Sequence, residues 1–524
     1  MSFDTAVLTL RALLQTAAAK AGLGRSVSGR RQSLSGLTPT AQALAAAVIA
    51  SEVPVVLLVP SDSDVDRTTT DVRFFLAALE GLPRADVNQQ VLPFPSQEVD
   101  PYRGIAPHLD VAAARGQALA ALAQRRARLV VASAAALLPR LSSPRRMGET
   151  VIELHTGGTL SPTDLADRLA SAGFERTDPV EAHGEFCLRG GVVDIFPASD
   201  AEPVRAEFAG DSVESLRRFN PATQRSIAIL DHVSVQPLRD QLEMAPDDPD
   251  AIDRQATFRD YMLHTGAQFV VSEPAETEER IRQLTEQLQT SYSDAAARGE
   301  LVLPPDELQV KGDDVAAWLM GAATVSTLKI DEAIPSGEPF FATRHVACQP
   351  AAEFRGRLRD WVADVKRGRE QGDTILFVAE TDGRAERILE LLAEDGLVGT
   401  RLDGEENTHA AGLLVATGVL ARGFRLPGAG LQVYVERDLF EDEHLVRQQK
   451  RSVAKSFLSD FRDLKVGDHV VHIEHGIGAF VGLRQLSVNR SQAAHEFMEL
   501  RYAGADKLFV PVEHLDLLQK YTGA

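Results

Sequence analysis

Cysteine is nearly absent: Cys187 and Cys348 are the two thiols in 524 residues. Two thiols cannot build a disulfide framework, and neither sits in a CxxC or Cys/His spacing, so zinc and dithiol motifs are excluded and a reducing, cytoplasmic setting is expected. Positive charge is also in short supply, with 55 Lys and Arg against 75 Asp and Glu and a net charge of −20. A protein that grips phosphate backbones presents a clustered basic face, so this balance favours protein partners over nucleic acid. No run approaches the roughly 20 uninterrupted apolar residues that cross a bilayer, and no membrane partner is expected. The opening segment is broken by Asp4, Arg11 and Lys20 and leaves no clean apolar core for a targeting signal. Its Val7, Leu10, Leu13 and Leu14 fall on one face of a helix instead. Internal repeats and low-complexity tracts are missing too.

The composition, 44% apolar and 25% charged, is that of a folded globular chain. Its length predicts three or four domains. Between Leu34 and Leu141 strand and helix patterns alternate: VPVVLLVP (Val53 to Pro60) and RLVVAS (Arg128 to Ser133) are short apolar blocks suited to strands buried on both faces. Ala-rich helical stretches, Ala41 to Ser51 and Ala112 to Ala123, lie before and between them, the order expected of a parallel α/β sheet. The character changes near Gly148. From Val192 to Leu238 the segments VVDIF, VRAEF, SVESLRRF and SIAILDHVSVQPL read as strands of a β-rich insertion. In VRAEF the apolar Val204, Ala206 and Phe208 share one face, and Arg205 and Glu207 share the other.

Helical and α/β patterns resume near Pro246. A further small α/β unit is predicted from about Phe340, with a helix around Leu358 to Arg369, the strand TILFVAE, a helix around Arg384 to Glu394, then GLLVATG and LQVYVER. Asp438 to Asp463 is charged and helical in pattern, with Glu443 and Arg447 spaced i,i+4. The last sixty residues turn to short strands between glycine-rich turns: VVHIEHGIGAFVGL, HEFMELRYAG and KLFVPVEHL. Met498, Leu500 and Tyr502 share one strand face there, and a small curled β-barrel is expected. His469, His472 and His475 point alternately along a strand and do not converge on a metal, so none is expected.

The segment SGLTPTAQA lies where a phosphate-binding loop would open the first helix. An active loop needs a second glycine, a lysine for the phosphate oxygens and a hydroxyl for Mg²⁺. With Gly36 as the first glycine, those positions hold Ala41, Gln42 and Ala43, and Pro39 removes a donor. Either this is a phosphate loop that has lost its chemistry or it is an ordinary turn. On both readings no nucleotide hydrolysis is expected here. Acids do not rescue it: FVVSE ends in the single acid Glu273, and LKIDEA has no lysine loop behind it, so no catalytic residue is assigned.

The segment from His183 to Ser226 (HGEFCLRGGVVDIFPASDAEPVRAEFAGDSVESLRRFNPATQRS) resembles a motif shared by the repair protein UvrB and the bacterial transcription-repair coupling factors. That motif runs G-x-F-x-x-RG-x-x-x-D-(I/L)-FP, then R-x-(E/D)-x-F, then G-D-x-(V/I)-x-S-L-R. Upstream, FPSQEVDPYRGIAPHLDVAAARGQAL (Phe94 to Leu119) is similar to the coupling factors' own signature. Lys465 to Ala524 resembles the polymerase-interacting domain that they share with CarD-type regulators, a Tudor-like, SH3-like barrel.

The resemblance implies an α/β multidomain chain. A UvrB-like domain with a degenerate P-loop-like parallel sheet would occupy residues 1–147 and 239–338, interrupted by a UvrA-binding-like insertion at 148–238. A small α/β domain would follow at 339–437, then a linker helix at 438–464 and the polymerase-interacting domain at 465–524. It implies a non-catalytic scaffold that docks UvrA through Arg189, Arg205 and Phe208, with Ala209 where relatives often carry an aromatic. It also implies contacts to the RNA polymerase β subunit at Leu486, with Arg484, Lys507 and Leu508 beside it; from pattern alone Leu486 could equally be core. A translocase follows the barrel in the family, and ATP, Mg²⁺ and most DNA contacts would belong to it, leaving this chain without a cofactor. A UvrB-like ATPase and a stand-alone CarD-type regulator are the competing readings.

Overall fold

A computed structural model describes residues 9–24, 31–103, 107–245, 248–327, 341–402, 412–440, 469–472, 476–486, 495–501, 507–511 and 518–520. They fall into two units, Met1–Leu439 and Phe440–Ala524. The opening helix, Leu10–Ala21, starts where the Thr9 hydroxyl accepts from the Ala12 amide, and it buries Leu13, Leu14, Ala17, Ala18 and Ala21.

The strands of the first domain are β1 (Arg31–Ser35), β2 (Val55–Val59), β3 (Val91–Phe94) and β4 (Leu129–Ser133). β2 and β4 are the two apolar blocks of the sequence, and all ten of their residues are buried. Helices cover both faces of such a strand, which removes any reason for polar alternation. Before the sheet is completed the chain leaves it. The ribbon strand β5 (Ile152–His155) is followed by β6 (Glu175–Arg176), β7 (Glu185–Arg189), β8 (Val192–Ile195), β9 (Val204–Ala209), β10 (Ser212–Phe219), β11 (Ser226–Leu230) and β12 (His232–Val235). Strands β6 to β11 form one sheet in the order β11-β10-β9-β8-β7-β6, while β12 returns to pair with β5. The segment SIAILDHVSVQPL therefore supplies two strands to two different sheets. Val193, Ile195, Val204, Ala206, Val213 and Leu216 face inward and pack on Leu165 and Leu169 of the helix Pro162–Ser171.

A second ribbon, β13 (Glu243–Ala245) with β14 (Asp248–Ile252), precedes the return to the first sheet through β15 (Gln268–Ser272), β16 (Ala323–Ser326) and β17 (Phe341–His345). The completed sheet has seven strands in the order β17-β1-β16-β15-β2-β4-β3, and every pair is parallel. One boundary needs correcting. β17 lies in the range expected for the small domain, yet its five residues pair in register with β1.

The small α/β domain holds β18 (Gln349–Pro350), β19 (Thr374–Ala379), β20 (Thr400–Arg401), β21 (Leu413–Thr417), β22 (Phe424–Leu426) and β23 (Leu431–Val435), ordered β18-β22-β23-β19-β21-β20. Its core is Trp361, Val365, Phe377, Ile388, Leu392 and Tyr434, from the helices Leu358–Glu370 and Asp382–Glu394 and the central strands.

Two buried carboxylates hold the segment after β21. Asp71, on the helix Asp62–Glu80 of the first domain, accepts from the Ala421 amide at 2.7 Å. Asp438 accepts from the Gly423 and Val435 amides at 3.0 and 2.9 Å. Burial pushes Asp71 up to about 7, against the pull of its bonds from Ala421 and Thr40 and of Arg67 and Arg437. Burial likewise pushes Asp438 up to about 6, with Glu353 adding to the rise and Arg422 opposing it.

In the second unit, β24 (His469–His472), β25 (Gly476–Leu486), β26 (His495–Arg501), β27 (Lys507–Pro511) and β28 (Leu518–Lys520) form an antiparallel sheet ordered β27-β26-β25-β24-β28. Met498 and Leu500 are buried. The predicted linker helix lies outside the described residues beyond Phe440; what is described at its start is a short helix, Glu436–Leu439.

Candidate functional site

The helix Pro39–Ala50 follows β1, with Thr38 as its cap and Pro39 at the first position, where no donor is lost. This is the place in a parallel sheet where a nucleotide's phosphates would rest. The loop's donors are instead used within the protein. The Leu37 amide donates to the Ser326 carbonyl at 3.1 Å, and the Ser35 carbonyl accepts from Val346 at 2.9 Å. Gly36 has φ +83°, and a Cβ there would come within 2.5 Å of the Val346 carbonyl oxygen and 2.4 Å of the His345 ring. Chain occupies the room above this glycine.

Gln42, at the lysine position, is buried, and its amide nitrogen donates to Glu273 Oε1 at 2.8 Å and to the Leu37 carbonyl at 3.2 Å. Its amide oxygen accepts from the Ser272 hydroxyl at 2.7 Å. Glu273 Oε1 also accepts from the Thr327 amide at 2.7 Å. Ala41 and Ala43 are buried and offer no polar group. Glu273, a strand-end acid in the sequence, is the hydrogen-bond partner of the residue at the lysine position. Asp331 and Glu332 of LKIDEA lie outside the described residues. Among the described residues no group of three His, Cys, Asp or Glu side chains could hold a metal ion.

The six-stranded sheet of the insertion has one face on its core and one turned away. Registers place Asp194 opposite Arg205, Arg205 opposite Arg217, and Arg217 opposite Ile229, so these four form one row across the outer face. The next row holds Arg189, Val192, Glu207 and Ser215. Arg189 is exposed and paired with Asp178. Arg205, expected to be exposed, is only half exposed and already engaged. Its Nε and Nη2 donate to the two oxygens of buried Asp194 at 2.6 and 2.8 Å, Nη2 also reaches Gln224 at 3.1 Å, and the guanidinium lies 4.6 Å over the Phe219 ring. The Asp and Arg of the family motif are thus partners of each other. Phe208 lies on the opposite face, packed against the core, so the three residues expected to share a docking surface are split two and one.

The insertion is held to the parallel-sheet domain by the second signature. Arg115 is 1% exposed; its Nε donates to Asp240 Oδ2 at 2.7 Å, its Nη1 to the Pro95 carbonyl at 2.6 Å, and it lies 4.3 Å over the Phe94 ring. Gln97 adds bonds of 3.0 and 3.2 Å to the same carboxylate. The segment leaving the insertion after β12 crosses so closely that a Cβ on Gly116 would come 1.9 Å from the Pro237 carbonyl oxygen.

In the C-terminal sheet Leu486 and Arg484 end β25, opposite His495 and Phe497 of β26; their side chains lie outside the described residues. On the edge strand β27 Lys507 is exposed and Leu508 half-buried.

Family models match three stretches of the chain: the UvrB interaction domain over residues 152–240, the MFD, D3 domain over 369–439, and the CarD-like/TRCF RID domain over 464–522. Three different domain models in succession mark a modular, multidomain chain. The chain is 24% identical over 94% of its length to the transcription-repair-coupling factor of Bacillus subtilis (strain 168), and 26% identical over 94% to that of Staphylococcus aureus (strain bovine RF122 / ET3-1). A third relative, from Staphylococcus aureus (strain MRSA252), is 28% identical over 78%. Over nearly its whole length the chain is similar to the N-terminal portion of the transcription-repair-coupling factors. It spans 45% of the length of the first two relatives and 39% of the third.

Proposed function

We propose that this chain is the docking portion of a coupling factor, a non-catalytic scaffold that binds stalled RNA polymerase and recruits UvrA in the cytoplasm. The observation that carries this is the pairing of a UvrB-type interaction domain and a CarD-like domain in one chain whose nucleotide-loop position is filled by Gln42 and Glu273. The outer face of the insertion meets UvrA, with Arg189 in contact and Arg205 held by Asp194 as a positioning residue. Phe208 supports that face from the core side. The domain limits are those expected from the sequence, with β17 transferred to the parallel sheet.

The C-terminal sheet closes as a Tudor-like, SH3-like barrel and docks on the polymerase β subunit through Leu486, Arg484, Lys507 and Leu508. An edge strand such as β27 can extend a partner's sheet by backbone hydrogen bonds. The parallel sheet is a P-loop-like frame that no longer takes nucleotide, because Gln42 and Glu273 satisfy each other where lysine and phosphate would meet. ATP, Mg²⁺ and DNA engagement belong to the translocase part of the whole protein. The filled loop also disfavours a UvrB-like ATPase, and the UvrB-type domain disfavours a stand-alone regulator.

The test is a binding assay of the chain against polymerase β subunit and UvrA, with Leu486→Arg and Arg189→Glu variants. Each substitution is expected to remove one partner and spare the other. Both variants retaining both partners would refute the two assignments.

A further inference from the structure

Among the described residues, strand β11 stands at the edge of the insertion's sheet and has β10 as its single neighbour. Its Ile229 is 81% exposed and its Ile227 is 52% exposed. Edge strands are normally blunted by charge, proline or brevity, because two exposed β-branched residues beside unpaired backbone invite another strand. The opposite edge follows that rule: β6 is two residues long, and they are Glu175 and Arg176, both exposed. β11 carries neither charge nor proline within its five residues, Ser226–Leu230, and its guard is a single register shift at Ile227 that leaves Ile229 in regular pairing.

Ile229 closes the row that runs Asp194, Arg205, Arg217, Ile229, so it lies on the same face as the arginines of the proposed docking surface. At the usual interstrand spacing of about 4.8 Å it sits about 10 Å from Arg205. Ile227, at the register shift of β11 opposite Phe219, is exposed beside it. The energetics of the face require an anchor outside the two arginines. Arg205 has spent its fork on Asp194, and position 209, where an aromatic would stand, is Ala209. Apolar side chains that are exposed alone and desolvated in a complex are the type of group that anchors an interface.

The charge around the edge says what the partner carries. Between Asp211 and Asp231 three arginines, Arg217, Arg218 and Arg225, are matched by three acids, Asp211, Glu214 and Asp231, and Arg225 is the cation beside the strand with no ion pair among the described residues. Arg217 and Arg218 are paired with Glu207 and Asp200, and Arg225 is exposed at the start of the strand.

We infer that β11 is a strand-addition site: an extended, apolar, acid-flanked segment of UvrA lies along this edge, with Ile227 and Ile229 as its anchors. This rests on the reading of the insertion as the UvrA-docking domain and adds to it the residues that supply the apolar contact.

The experiment titrates UvrA against the whole chain carrying Ile229→Asp, the double change Ile227→Thr/Ile229→Thr, or Arg225→Glu. Each isoleucine variant is expected to bind at least about ten-fold more weakly, the loss of one anchor. The melting temperature and polymerase binding stay unchanged, because neither side chain is buried. Arg225→Glu weakens binding in low salt and less so in high salt. Wild-type chain that binds UvrA while the isoleucine variants match it within about two-fold overturns this inference and leaves the docking domain standing. Wild-type chain that does not bind UvrA at all overturns both. Sedimentation of the chain alone should show a monomer; a dimer lost on Ile229→Asp would give the edge to a second copy and overturn the assignment.

Discussion

Gln42 and Glu273, 231 positions apart, meet at 2.8 Å inside the loop where a nucleotide's phosphates would lie. The amide can do what a lysine would do to this carboxylate, but it carries no charge for a phosphate to answer. The pair therefore acts as a pin between the first helix of the sheet and the end of β15.

The pin sets the first prediction. Gln42→Ala leaves Glu273 with one bond fewer and Ser272 without its acceptor, and should lower stability by about 1–3 kcal/mol in denaturant titration. Gln42→Lys should not confer binding of a fluorescent ATP analogue, since Val346 and His345 still fill the room above Gly36. Tight, saturable nucleotide binding by either the wild type or Gln42→Lys would contradict the filled-loop account.

A second prediction concerns Arg115. Removing it strands Asp240 in a nearly dry site, and Arg115→Ala should cost about 3–5 kcal/mol. The paired change Arg115→Met/Asp240→Leu should cost much less than Arg115→Ala alone, because no charge is left buried. Equal losses in the two proteins, measured by chemical denaturation, would mean that packing rather than charge dominates the clasp.

Arg205 and Arg189 should separate fold from docking. Arg205→Ala exposes Asp194, which is 2% exposed, to an unpaired existence and should lower the melting temperature. Arg189→Glu, on an exposed side chain, should leave the melting temperature within about a degree, since exposed pairs contribute roughly 0–1 kcal/mol. Calorimetry of the two variants side by side reads the difference.

The fourth prediction is a pH dependence. Asp71 and Asp438 both titrate higher in the folded protein than in an unfolded chain. Between about pH 4 and 7 the folded state therefore holds more protons, and stability falls as pH rises through that window. Asp71→Asn keeps an acceptor for the Ala421 amide and carries no titratable group. It should flatten the decline in melting temperature between about pH 4 and 7 and raise stability at the upper end of that window. An identical slope in the variant would assign the decline to other groups.

Much of the frame was legible in the sequence because it obeys local rules. Val55–Val59 is apolar throughout and Leu129–Ser133 is apolar up to its last residue, as burial on both faces of a strand favours. The alternation in VRAEF correctly separated Val204 and Ala206 from Arg205 and Glu207. It also put Phe208 on the core side, a geometry at odds with its nomination as a contact residue. What escaped was set by partners far away in the chain. Arg31–Ser35 is too polar to announce a strand, and becomes one because β16 and β17 bond to it on both sides. Asp194 and Arg205 are eleven positions apart and meet because the hairpin register puts them opposite each other. Glu273 looked solvated because nothing in its neighbourhood predicts a glutamine arriving from residue 42.

The insertion leaves and re-enters the parallel-sheet domain at neighbouring points: the Ser142 amide donates to the Asp240 carbonyl at 3.1 Å, and Leu141 and Ala256 exchange backbone bonds. Arg115 stands at the same spot with its grip on Asp240. A pull exerted through the six-stranded sheet therefore reaches the parallel-sheet domain through this buried ion pair, its backbone bonds and the packing of Leu109 and Ala113 on the insertion's core. The stiffness of that hinge sets how faithfully a tug on one side is felt on the other.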